Sequence, residues 1–164
     1  MYGKGYSQLT LSISSAAKIC KALREGLEDF SKEEMTEGND VSLNIASNEL
    51  HATLMYDKRD PDIDPGVNRE SYQGTITDVT KLGNPNGEYY ALVLEVDSPG
   101  VQKRFKELQE LGFEHSWPDL RVHISLNYGS ATETTYSVVK RIFEQGKFPG
   151  EITLVDECWN KCKN

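Results

Sequence analysis

Two eight-residue stretches of this chain repeat one phrase. Residues 49 to 56 read ELHATLMY and residues 121 to 128 read RVHISLNY, so His51-Ala52-Thr53-Leu54 and His123-Ile124-Ser125-Leu126 both give histidine, any residue, a hydroxyl residue and leucine. Apolar and polar residues alternate through each, which is the period-two pattern of a half-buried strand. Successive side chains of a strand point to opposite faces. Leu50, Ala52, Leu54 and Tyr56 therefore share one face and Glu49, His51 and Thr53 the other, while Val122, Ile124, Leu126 and Tyr128 oppose Arg121, His123, Ser125 and Asn127. The fold must hold two distant strands, each burying one side and presenting a histidine beside a hydroxyl on the other.

The rest of the chain alternates strands with helices. Gln8 to Ser14 has apolar residues at period two, and Ser14 or Ser15 can cap a helix that carries Ile19, Leu23 and Leu27 to about Phe30. Residues 31 to 48 are polar and read as a loop, open to the reading of a lid. DKRDPDIDPG after the first histidine phrase is a surface loop. Tyr72 to Leu82 and Tyr89 to Val96 flank the turn GNPNG and form a hairpin. Ser98 and Pro99 open a helix with the stripe Val101, Phe105, Leu108 and Leu111, which Gly112 ends. A third helix runs from Thr132 to Gln145 and stops at Gly146, and a strand from Glu151 to Trp159 follows. The order predicts one α+β domain over residues 1 to 164, with two similar lobes that each carry helix, loop and histidine strand.

Composition narrows the chemistry. A net charge of -8 disfavours duplex DNA or bulk RNA, whose binding rests on many cations, yet leaves room for a small anion in a local cationic pocket. The 37% apolar fraction and the lack of a long apolar run predict a soluble chain without a membrane span, and the N-terminal residues lack a secretory pattern, so an intracellular setting is expected. Three cysteines, Cys20, Cys158 and Cys162, do not make a disulfide framework, and they stand beside too few histidines for a zinc ligand set.

Two imidazoles facing one another suit the opening of a phosphodiester by acid and base. One neutral histidine takes the proton of an attacking hydroxyl and one charged histidine returns a proton to the leaving oxygen, since histidine titrates near working pH. The hydroxyls of Thr53 and Ser125 can donate to the non-bridging oxygens, where charge develops. His115, in GFEHSW, lacks the pattern and reads as a loop histidine. Motifs of rival chemistries are missing from the chain: it has no GK[ST] phosphate loop, no HExxH and no GxSxG.

On these residues the sequence resembles the 2H phosphoesterase superfamily, whose signature is a pair of Hx[ST]h motifs, here HATL at 51 and HISL at 123. The stretch YALVLEVDSPGVQKRFKELQELGFEHSWPDLRVHISLNYG is similar to the phage anti-CBASS nucleases. The resemblance implies a bilobal α+β fold around a central cleft, no cofactor and no metal. It implies cleavage of the 3′,5′ linkages of cyclic di- and trinucleotide immune signals such as 3′,3′-cyclic GMP-AMP, in the cytoplasm of an infected bacterial host. His51, Thr53, His123 and Ser125 carry over as catalytic residues, with the base and acid unassigned. Glu151 matches a ligand-contacting glutamate of that group, or is a strand-end carboxylate. Tyr6 either stacks on a base or packs on its lobe, Arg121 can reach a phosphate, and Trp117 reads as a packing residue. The alternatives are an enzyme of RNA ends and a nucleotide-binding protein without turnover. Bases, ring size and oligomeric state stay open.

Overall fold

The computed structural model describes residues 2–34, 50–82, 91–128 and 133–162. Along these run β1 (Tyr6–Leu11), α1 (Ile13–Glu34), β2 (His51–Tyr56), β3 (Tyr72–Leu82), β4 (Ala91–Asp97), α2 (Pro99–Leu111), β5 (His123–Tyr128), α3 (Glu133–Glu144) and β6 (Ile152–Asn160). The expected GNPNG turn and residues 35 to 48 of the expected loop lie outside the described residues.

Local chemistry explains where the elements begin and end. The first strand stops at Leu11, short of Ser14, because Ser12 turns the chain into α1. Its hydroxyl accepts the Ser15 N–H at 3.2 Å and its carbonyl the Ala16 N–H at 2.9 Å. Ile13, counted in the strand pattern, is thus the first helical residue and is 91% exposed. Ser15 does not cap; its hydroxyl instead accepts the N–H of Thr153 at 2.9 Å, tying α1 to β6. The helix runs four residues past Phe30, so residues 31 to 34 of the expected loop are helical. α2 matches its sequence signals, with the Ser98 hydroxyl at its start, Pro99 in its first turn and Gly112 at φ 116° closing it.

Six strands among the described residues pair, all antiparallel, into a closed ring in the order β1-β2-β5-β4-β3-β6. The ring divides into two three-stranded units. In one, β1 lies between β6 and β2; in the other, β4 lies between β3 and β5. Each unit repeats strand, helix, histidine strand: β1-α1-β2 and β4-α2-β5. Two thin seams join them, a single registered pair at Ala52 with Ile124 and a short run from Tyr72 with Leu154 to Gly74 with Ile152.

One core unites Leu9, Leu54, Leu94, Ile124 and Leu154 of the strands with Ile19 of α1, Phe105 and Leu108 of α2 and Val139 and Ile142 of α3. The described helices share this core with the apolar side of the strands, and the motif histidines and hydroxyls lie on the other side of the sheet. No described helix is long and apolar enough to cross a membrane.

Candidate active site

Paired residues of neighbouring strands project to the same face, so register decides what shares the face of the histidines. Thr10 pairs with His51, Gln8 with Thr53 and Tyr6 with Tyr56. Across the thin seam, the antiparallel pair Ala52 with Ile124 sets the register. One residue either way, His51 stands opposite Ser125 and Thr53 opposite His123. Each histidine thus faces the hydroxyl of the other strand, and the two histidines are diagonal neighbours, about 7–8 Å apart at their backbones. On the far side of β5, Ser125 pairs with Val93 and His123 with Glu95. All four motif side chains are half-buried, and Ala52 and Ile124 behind them are almost fully buried.

His123 has a defined tautomer. Its Nδ1 lies 2.8 Å from the carbonyl oxygen of Arg121, which can only accept, so Nδ1 carries the proton and Nε2 is the basic nitrogen of the neutral ring. Burial lowers the His123 pKa below the usual histidine value; the Arg121 carbonyl opposes that shift, and the charges of Arg121 and His51 add to it. The ring is accordingly neutral at pH 7. That His51 is felt at His123 agrees with the diagonal register.

The remaining candidates are placed as follows. Arg121 is exposed and its guanidinium pairs with the carboxylate of Glu95, the residue in register with His123. Glu151 is exposed and immediately precedes β6. Its neighbour Ile152 is buried and pairs with Gly74, so alternation turns Glu151 to the polar side, at the seam across the ring from the histidines. Tyr6 is half-buried on the histidine face, donates its hydroxyl to the Gln8 side-chain oxygen at 3.1 Å and meets Tyr56 edge-on at 6.0 Å. The side chains of Asn127 and Tyr128 are outside the described set.

Two expectations are corrected. Tyr56 is not on the buried face: β1 pairs Gln8 with Thr53 and then Ser7 with Met55, so Leu54 is an extra residue in the ladder. This bulge sends both Leu54 and Met55 into the core and returns Tyr56 to the side of His51 and Thr53. Nor is Trp117 packed away. It is 56% exposed and lies 5.3 Å from the Tyr56 ring and 5.4 Å from that of His115. Sequence alternation carries no sign of a bulge, and Glu95 and Trp117 join the site through nonlocal pairing. Only the aromatic spacing in GFEHSW hinted at the second.

The site thus combines two diagonal imidazoles, a hydroxyl opposite each, and aromatic rings at one end. No curated protein matches the sequence. The model of the anti-CBASS protein Acb1 family matches residues 16–162, which spans both histidine strands and all three helices but the first turn of α1. The chain belongs to that family, phage proteins that evade the CBASS defence of bacteria.

Proposed function

We propose that the chain is a 2H-type phosphodiesterase that opens 3′,5′ linkages of cyclic di- and trinucleotide signals, acting in the cytoplasm of the infected host cell. The observation that carries this reading is the register of β2 and β5, which sets each motif histidine against the hydroxyl of the opposite strand. The two three-stranded units, joined at thin seams, support a bilobal plan with the site where they meet.

The neutral His123 takes the proton of the ribose 2′-hydroxyl at Nε2, and the 2′-oxygen attacks the adjacent phosphorus. His51 donates a proton to the departing 5′-oxygen, leaving a 2′,3′-cyclic phosphate. The Thr53 and Ser125 hydroxyls donate to the non-bridging oxygens as their charge grows. Water then opens the cyclic phosphate with the histidine roles reversed. Two imidazoles and two hydroxyls supply every proton transfer, so the reaction requires no metal. Glu151 contacts base or ribose from the polar side of β6, Tyr6 borders the ligand, and Arg121, paired with Glu95, borders the phosphate. The net charge of -8 suits a short ligand better than long RNA.

Incubation with 3′,3′-cyclic GMP-AMP in excess EDTA is expected to yield linear product, and full inhibition by EDTA would overturn the metal-free mechanism. An analogue lacking the 2′-hydroxyl at the scissile linkage is expected to survive. Its cleavage at the normal rate would require a water nucleophile and reject the internal one.

A further inference from the structure

The loop that precedes β5 is tied to the end of β2 in a way that its length does not require. The Tyr56 N–H donates to His115 Nδ1 at 3.0 Å, the Ser116 N–H to the Tyr56 carbonyl at 2.8 Å, and the Glu114 N–H to Asp57 Oδ2 at 2.8 Å. Asp57 is almost fully buried, and Arg59 clamps its carboxylate with two side-chain bonds at 2.9 and 2.7 Å. His115 is wedged edge-on against Phe105 at 5.1 Å. Everything in this segment is fastened except the indole at its end. Trp117 is more than half exposed, yet it is held against Tyr56 on a rigid base.

Exposing so much of a large apolar ring forgoes burial that would stabilise the fold. The direction of that ring matters too. Tyr56 shares the face of His51 and Thr53, and its ring is flanked by Tyr6, its partner across the ladder, and by Trp117. Thr53 and Tyr56 stand opposite Gln8 and Tyr6, two residues apart on β1 and so about 7 Å along the strand, a span that one nucleotide can cover from phosphate to base. An exposed, preorganised aromatic face at that distance fits a flat apolar group attached to the phosphate being cut.

We propose that Trp117, backed by Tyr56, is a stacking surface for one nucleobase of the ligand, beside the scissile phosphate. The proposal rests on the phosphodiester reading for its ligand and extends it by naming the group that holds the base. Stacking discriminates little among bases, since each has a π face, so this surface supplies affinity and leaves base choice to other groups.

The test uses the full chain with Trp159→Phe, so that Trp117 is the single tryptophan, and His51→Ala, so that turnover does not consume the ligand. Saturating 3′,3′-cyclic GMP-AMP or 5′-GMP is expected to quench Trp117 fluorescence, and ribose 5-phosphate, which lacks a base, is not. In the turnover-dead chain Trp117→Ala, followed by calorimetry, is expected to weaken Kd by roughly 5- to 150-fold, the loss of one base stack. Trp117→Phe is expected to recover most of it. In the active enzyme the same factor appears in KM with kcat kept. An unchanged Kd in Trp117→Ala, equal quenching by ribose 5-phosphate, or a fall in kcat at constant KM each overturns the proposal. Quenching by 5′-GMP in a protein that never cleaves cyclic dinucleotides would reject the enzymatic reading and keep the stack; normal cleavage with Trp117→Ala kinetics unchanged would do the reverse.

Discussion

Replacing Arg104 by Met should cost this protein more than any surface substitution. Arg104 of α2 and Glu157 of β6 form a two-pronged pair, Nε to Oε1 at 2.8 Å and Nη2 to Oε2 at 2.9 Å, with side chains only 10% and 2% exposed. Arg104 also donates to the Pro65 carbonyl at 2.8 Å, and Glu157 accepts from Asn68 and from the Trp159 ring nitrogen, both at 3.0 Å. Because α2 belongs to one three-stranded unit and β6 to the other, the pair staples the two together. Arg104→Met strands the Glu157 carboxylate in the interior, a loss of about 3–5 kcal/mol. At about 2–4 °C per kcal/mol for a chain of this size, Tm drops by about 6–20 °C.

Acid supplies an internal check on that figure. Burial alone would raise the Glu157 pKa, and the hydrogen bonds from Arg104, Asn68 and Trp159 outweigh it, so the group is held below the usual carboxylate range. A depressed carboxylate adds stability above its unfolded pKa that is lost as pH falls toward the folded one. Without Arg104 the stranded carboxylate can take up a proton instead, so the deficit of Arg104→Met should shrink as pH falls from 7 to 4. Urea unfolding across that range measures both quantities. Arg104→Met with Glu157→Leu should recover most of the loss, since apolar replacement of a whole buried pair is close to neutral. A deficit under 1 kcal/mol at pH 7, or one that does not change with pH, would refute the reasoning.

Other expectations are briefer. His51→Ala and His123→Ala should each lower turnover of 3′,3′-cyclic GMP-AMP by roughly 100- to 10,000-fold, and a loss under tenfold removes that residue from the mechanism. Since the His123 pKa is lowered, a base at this position stays active as pH drops below the usual histidine value. The acid limb of kcat/KM should therefore lie below about 6.5, and a limb above it would reject His123 as the base. Gly26 of α1 lies against α3, where an added Cβ would come within 2.3 Å of Ile142 Cδ1. Gly26→Ala should lose about 1–3 kcal/mol to overpacking, against about 1 kcal/mol gained in helix propensity, and Ile142→Ala in the same chain should relieve the clash in thermal melts. Burial also lowers the His115 pKa, with the charge of Asp57 opposing the shift. The stability that neutral His115 contributes is thus lost as pH falls below about 6.5, and His115→Gln, which still accepts from Tyr56, should flatten that part of the pH dependence of Tm.

What was legible in the sequence was local. The caps of α2 follow from Ser98, Pro99 and Gly112, whose side chains or lack of one satisfy the helix ends without help from elsewhere. The alternation of His51 to Thr53 with Ala52 and Leu54 sorts two faces correctly for the same reason. The pattern fails at Tyr56, because the extra residue at Leu54 is set by the pairing partner Ser7 and leaves no trace in β2 itself. Ser12, and not Ser14 or Ser15, caps α1 because both later serines lie inside the first turn, and Ser15 is claimed by Thr153 from the far end of the chain. Glu95 became a neighbour of His123 only through the β4–β5 ladder. Trp117, read as packing from the general tendency of tryptophan, is exposed because the loop beneath it is already satisfied by Tyr56, Asp57 and Phe105.

Closure of the sheet has a consequence for life at high concentration. An open sheet ends in two strands whose free N–H and C=O groups invite a strand from another molecule, and proteins guard such edges with charges, prolines or bulges. Here β6 bonds to both β1 and β3, so each described strand has a partner on either side. The described strands therefore have little need of edge gatekeepers, and the surface is left to vary with other demands. Any molecule that meets the sheet must come through the faces, and the one turned away from the helical core holds the histidines.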